Sequence, residues 1–169
     1  MRFIYFMLVA LCLLIVFSYR AHAAQHITYF YDGDTVIIQD NDKSYKLRLN
    51  HIDAPERNQS YGKKSRRALM KLCQNAALQI IITGTDLYHR HLGNLYCNQQ
   101  DASSYMLENG HAWFYHHYSN KADLAILEAG ARKNKLGLWQ DDKPTPPWVW
   151  RHLIKQKTSA VEGQVIKVK

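Results

Sequence analysis

Four short segments gather the groups that could do chemistry: Asp32-Gly33-Asp34-Thr35, Arg48 through Asp53-Ala54-Pro55-Glu56, Tyr61-Gly62, and Asp86-Leu87-Tyr88-His89-Arg90. Taken singly, each has a plain structural use. Asp-Gly makes hairpin turns, and a proline shortly after a strand ends its ladder. Taken together, they combine carboxylates with two guanidiniums, the set a phosphodiester demands. The ester's own charge repels an incoming hydroxide, and its oxygens gain charge in the transition state. Cleavage therefore calls for a hard cation, fixed cationic donors and a base for water. Carboxylate and carbonyl oxygens suit calcium. The planar fork of arginine suits two phosphate oxygens at once.

The elements that must position these groups are readable from periodicity. Ile27–Tyr31, Thr35–Gln39 and Tyr45–Ile52 read as a three-stranded meander, with turns at Asp32–Asp34 and Asn41–Lys43. In the third strand Leu47 and Leu49 alternate with Lys46, Arg48 and Asn50, which directs Arg48 away from the core. Gly62–Gln74 reads as a helix with an Ala68, Leu69, Leu72, Cys73 stripe and a basic outer surface. Strands over Leu78–Thr83 and Gly93–Cys97 follow, then helices over Ala102–Asn109 and Lys121–Leu136. Pro144–Pro147 reads as extended, with Trp148 and Trp150 pinning it to the body. The order βββ-α-ββ-α-α predicts an α+β fold, mainly β: an OB-fold five-stranded barrel with three packed helices.

Composition bounds the remainder. The chain has 169 residues, enough for one domain, and 47% of them are hydrophobic. Residues 1–23 combine a basic start, an apolar run and Ala21-His22-Ala23, the pattern of a secretory signal peptide cleaved after Ala23. This predicts a secreted or periplasmic protein with no membrane attachment once the leader is gone; an uncleaved N-terminal anchor is the alternative. Cleavage removes Arg2 and Arg20, so the formal charge falls from +8 to +6. The mature chain stays basic and suited to polyanions. Residues 24–152 are expected as the domain, and 153–169 as a basic, loose C-terminal tail. Cys73 and Cys97 then remain as a disulfide candidate.

In order and spacing, Asp32-Gly-Asp-Thr35, Arg48-Leu-x-x-x-Asp53-x-Pro-Glu56, Tyr61-Gly62 and Asp86-x-Tyr88-x-Arg90 resemble the staphylococcal nuclease family. Gly110-His-Ala112, Leu136-Gly-Leu-Trp139 and Pro146-Pro-Trp-Val-Trp-Arg151 fit it as well, the last as in exported bacterial members. The resemblance covers roughly residues 26–152. It implies a calcium-dependent endonuclease acting on DNA and RNA with little sequence preference. Asp34 and Asp53 would be the calcium carboxylates, with the Ala54 backbone carbonyl as third ligand and Asp32 in the outer shell. Glu56 would be the general base, and Arg48 and Arg90 the phosphate clamps. Tyr88 and Tyr118 would contact the nucleotide, with plain packing as the alternative for both. Against the family pattern, the Arg57–Ser60 segment is shorter, His89 and Leu87 replace a glycine and a basic residue, and His116 replaces an aromatic.

Two rival readings bear on the same residues. An OB-fold can bind single strands without catalysis. Such a binder gains nothing from Asp34, Asp53 and Glu56 on its binding face, since carboxylates repel phosphate. A transition-metal site at the close pairs His89/His91 and His116/His117 lacks a carboxylate or cysteine at suitable spacing. The expected partner is single-stranded or frayed nucleic acid, and the expected state a monomer.

Overall fold

The computed structural model describes the backbone of residues 25–116 and 119–167, with side chains to residue 159. The expected leader at 1–23 and Tyr118 lie outside the described residues.

Strands β1 (His26–Phe30), β2 (Thr35–Asp40) and β3 (Lys43–Leu49) form the antiparallel meander. Strand β4 (Ile52–Asp53), helix α1 (Gly62–Cys73), β5 (Leu78–Thr85) and β6 (His91–Cys97) follow. The sheet order is β1-β2-β3-β6-β5, with β3 and β6 parallel through Leu47–His91, Arg48–Leu92 and Leu49–Gly93. A short β7 (Gln100–Asp101) pairs with β6 and leads into α2 (Ala102–Glu108). Then come β8 (Trp113–Phe114), α3 (Ala122–Lys133), a 3₁₀ turn (Gly137–Gln140) and α4 (Pro147–Lys167). This is the α+β, OB-type arrangement. Among the described residues no ladder joins β5 to β1, so the sheet curls without closing.

The core follows the alternation of the strands. Val36, Ile38, Leu47, Leu49 and Leu95 are fully buried under Leu69 of α1 and Met106 and Leu107 of α2. At about 25 cal/mol per Å² of apolar surface, each such side chain contributes roughly 1.5–3 kcal/mol. Cys73, closing α1, and Cys97, closing β6, are joined, with Cα atoms 5.1 Å apart and a sequence separation of 24. Restricting that loop in the unfolded chain is worth about 3 kcal/mol. The double variant Cys73→Ala/Cys97→Ala is expected to lose about that much in urea unfolding, with an unchanged circular dichroism spectrum. A loss below about 1 kcal/mol would mean that the bond constrains nothing the fold does not already hold.

Three features depart from the sequence expectation. The third strand does not run unbroken to Ile52: His51 takes φ 69°, and Ser103 Oγ donates to the Asn50 carbonyl, so the chain turns and restarts as β4. The strands before and after the β5–β6 turn extend further than read, to Thr85 and from His91. Finally, Pro147 opens a fourth helix that runs to Lys167, so the tail read as loose continues it, while residues 144–146 stay outside any helix as read. Proline at a first helical position loses no hydrogen bond, because that N–H has no intrahelical partner.

Candidate active site

Asp53 is held by a two-strand ladder, β4 with β8, in which Ile52 faces Phe114 and Asp53 faces Trp113. Beneath β8, buried Glu128 of α3 accepts the Phe114 N–H at 3.0 Å and pairs with Arg132 at 3.3 Å. Asp34 sits at the entry to β2. Its Oδ2 accepts the Ala54 N–H at 2.6 Å, its Oδ1 the Thr35 hydroxyl at 2.8 Å, and its own N–H donates to Asp32 Oδ1 at 3.0 Å. Asp32, Asp34 and Asp53 are all buried.

Two glycines of the motifs explain themselves through close approach. A Cβ on Gly33 would lie 1.8 Å from Ser65 Oγ and 2.9 Å from Ala54 Cβ, so only glycine lets the Asp-Gly-Asp turn seat against α1 and Ala54. A Cβ on Gly62 would lie 1.8 Å from the Glu56 carbonyl oxygen, so Tyr61-Gly62 is the surface against which Glu56's backbone is set. The short Arg57–Ser60 segment is a tight turn around buried Gln59. Its amide oxygen accepts the Glu56 N–H at 3.1 Å, and its amide nitrogen donates to the Thr145 carbonyl at 2.6 Å.

Arg48 points away from the core, into the carboxylates. Its guanidinium pairs with Asp34 Oδ2 at 3.0 Å and Asp53 Oδ1 at 3.1 Å, and donates to the Leu49 and Ile52 carbonyls. A second guanidinium enters from α4. Arg151 donates to Asp53 Oδ2 at 2.7 Å, to Asp53 Oδ1 at 3.2 Å and to Glu56 Oε1 at 2.9 Å. The cluster is thus four carboxylates, Asp32, Asp34, Asp53 and Glu56, with two arginines among them.

Charge density shows in the acidities. Burial, then the Asp34 charge, pushes Asp32 up to about 8, so it keeps its proton at neutral pH. Burial also raises Asp53, against the opposing hydrogen bonds of Arg151. For Arg151, burial works against its charge, but the bonds to Asp53 and Glu56 outweigh it and raise the pKa.

Arg90 takes a different carboxylate partner. It pairs with Asp86 at 2.7 Å within the β5–β6 turn, and Tyr88 stands 80% exposed beside it, 5.6 Å from the guanidinium. Burial works to raise the Asp86 pKa, but the bonds from Arg90 and the Tyr88 N–H outweigh it and lower it. His116 packs edge-on against Phe114 at 4.6 Å. Among the described residues no group of three histidines, cysteines or carboxylates is spaced to enclose a metal ion.

Arg151 is the residue that reading the sequence for chemistry missed, although its motif was visible. Trp148 packs edge-on against Trp113 at 5.6 Å and stacks with Tyr115 at 5.9 Å, which anchors the first turn of α4 beside β8. Arg151 follows at i+3 on the same helix face, and Trp113 is the ladder partner of Asp53. A helix started at Pro147 would have carried that inference.

Comparison with known proteins agrees with this architecture. The model of the family described as "staphylococcal nuclease homologue" matches residues 46–141, over half the chain. An uncharacterized endonuclease of Escherichia coli is 38% identical over 122 residues, covering 72% of this chain and 80% of that protein. A micrococcal nuclease of Shigella flexneri is 33% identical over 139 residues, covering 76% and 80%. A staphylococcal-like nuclease of Arabidopsis thaliana is 35% identical over 138 residues, covering 79% of this chain but 43% of the longer plant protein. From the Asp-Gly-Asp turn to the β4–β8 ladder and the matched span, the chain belongs to the staphylococcal nuclease homologue family.

Proposed function

We propose that this protein is a nuclease that hydrolyses DNA and RNA with little sequence preference, favours single strands, depends on calcium and acts as a monomer. The observation that carries the reading is the convergence of Asp32, Asp34, Asp53 and Glu56 with Arg48 at one end of the sheet, in a chain of a family with nuclease-named members. The donor chemistry fits a hard divalent cation. All the acidic donors are carboxylate oxygens, they crowd until one keeps its proton, and guanidiniums now balance them. Asp34 and Asp53 would hold calcium, with the Ala54 carbonyl as a further ligand and Asp32 acting through water. Calcium would supply charge stabilisation for the phosphoryl oxygens.

The chain's own residues would do the rest. Glu56, partly exposed and set by Gly62 and Gln59, takes the proton of the attacking water. Arg48 and Arg90 bind phosphoryl oxygens, which requires each to exchange a carboxylate partner for substrate. Tyr88 and Tyr118 offer ring faces to bases. We also propose that the leader at residues 1–23 directs the protein out of the cytoplasm.

The test is incubation of the full chain with single-stranded DNA and with RNA, in calcium and in an excess of calcium chelator. Cleavage in calcium that stops with chelator is the expected result. Binding without cleavage under both conditions would leave the chain a non-catalytic OB-fold binder of single strands.

A further inference from the structure

The outer face of the meander carries a group of side chains that the carboxylate cluster does not use. Tyr29 faces Ile37 across β1–β2, and Ile37 faces Lys46 across β2–β3, so Tyr29 and Lys46 share one row on the side opposite the core. Tyr31 follows two residues after Tyr29, and the two rings meet edge-on at 6.4 Å, 37% and 41% exposed. Three cations surround them. Lys46 Nζ lies 4.6 Å from the Tyr31 ring centre, Arg57 5.9 Å from the same ring, and Arg66 5.5 Å from Tyr29. Arg66 is fixed by a 2.6 Å bond from Nε to the Phe30 carbonyl. Among the described residues, none of these three cations forms an ion pair, whereas Arg48, Arg90, Arg132 and Arg151 all do.

The position of the group gives it a direction. Lys46 and Arg48 alternate to the same face of β3, and Tyr31 immediately precedes Asp32, so the tyrosines border the carboxylate cluster. On the other side, Arg57 and Arg66 line a cleft of about 1290 Å³ that begins at Pro55 and continues past Lys63, Lys64 and Arg67. Half-exposed aromatic rings beside unpaired cations suit a strand with stackable bases and a charged backbone.

We propose that Tyr29 and Tyr31, with Lys46, Arg57 and Arg66, form a second binding surface for a single-stranded polynucleotide, stacking bases of the strand beyond the cleaved bond. It rests on the proposed nuclease reading for its substrate, but its binding is separable from cleavage. The cations of α1 carry the phosphates along the cleft, and the tyrosine rings hold bases without reading their edges, which agrees with low sequence preference.

The test is fluorescence anisotropy of the full chain, in chelator, with a single-stranded oligonucleotide about 12 residues long and with an abasic strand of the same length. Tyr29→Ser/Tyr31→Ser is expected to bind the base-bearing strand at least about tenfold more weakly, because stacking on two rings is lost. Affinity for the abasic strand stays as in the parent, and Tyr29→Phe/Tyr31→Phe restores base-bearing affinity. Calcium-supported cleavage of a dinucleotide is unchanged, which also reports that the variant is folded. Equal affinity of parent and Ser variant for the base-bearing strand would overturn the proposal. Equal loss on both strands would overturn it too, because the tyrosines would then only be holding the cations. A parent that cleaves nothing in calcium, yet binds bases through the tyrosines, would refute the nuclease reading and leave this surface standing.

Discussion

Glu56→Gln is expected to lower kcat on single-stranded DNA by about 10²–10⁴, the usual contribution of a positioned base, with KM changed by less than about threefold. The split follows from what the substitution spares. Glutamine keeps the side chain's length, and its amide oxygen still accepts from Arg151, which reaches Glu56 Oε1 at 2.9 Å. The Glu56 backbone stays fixed by the Gln59 amide and by the approach of Gly62, neither of which involves the carboxylate. The proposed phosphate contacts of Arg48 and Arg90 are left in place. Only the basicity goes. Glu56→Asp keeps basicity but withdraws it by one methylene, and misplacement on that scale can cost about 10²-fold. Steady-state rates over a range of substrate concentrations, with thermal unfolding as control, decide the matter. A kcat within about tenfold of the parent for the Gln variant would take Glu56 out of proton transfer.

How far the sequence carried this picture depended on whether a feature was local. The meander, α1 and the alternation that sends Arg48 outward are written in periods of two and of three to four, and they appear in the structure. Asp-Gly-Asp, Asp-x-Pro-Glu and Tyr-Gly were legible as motifs, but the reason for their glycines was not. Gly33 meets Ser65, and Gly62 meets the Glu56 carbonyl, and neither approach is visible in one dimension. The break at His51 was missed because a left-handed histidine has no compositional signal; it is imposed by Ser103 and by the β4–β8 ladder. The α4 helix was missed because Pro146-Pro147 was read as extended chain. With that helix went Arg151, some 98 residues from the Asp53 it contacts.

Replacing Arg151 with Gln is expected to lower the stability of the calcium-free protein by about 2 kcal/mol at neutral pH, and to tighten calcium binding by about tenfold. Breaking a buried ion pair typically costs about 3–5 kcal/mol, because the abandoned charge stays buried. Here the abandoned group is Asp53, with a side chain 2% exposed, while Arg151 is 45% exposed and solvent screens part of the pair. Arg48 still faces Asp53 Oδ1, so the carboxylate is not left bare. The second expectation comes from competition. Arg151 occupies both oxygens of Asp53 and one of Glu56, and a divalent cation approaching Asp34 and Asp53 must displace that guanidinium. Glutamine removes the competitor and leaves a neutral amide. The two effects have opposite signs, and general loss of structure would not produce that pair. Calcium should then narrow the stability gap between variant and parent, since ligand bound to the folded state adds RT ln(1 + [L]/Kd) to its stability. Thermal melts with calcium and with chelator, beside calorimetric titration of calcium, measure both. If the variant binds calcium more weakly, Arg151 does not compete with the ion but holds Asp53 and Glu56 in the geometry that receives it. The C-terminal helix would then be part of the site's scaffold rather than a cation the metal must displace.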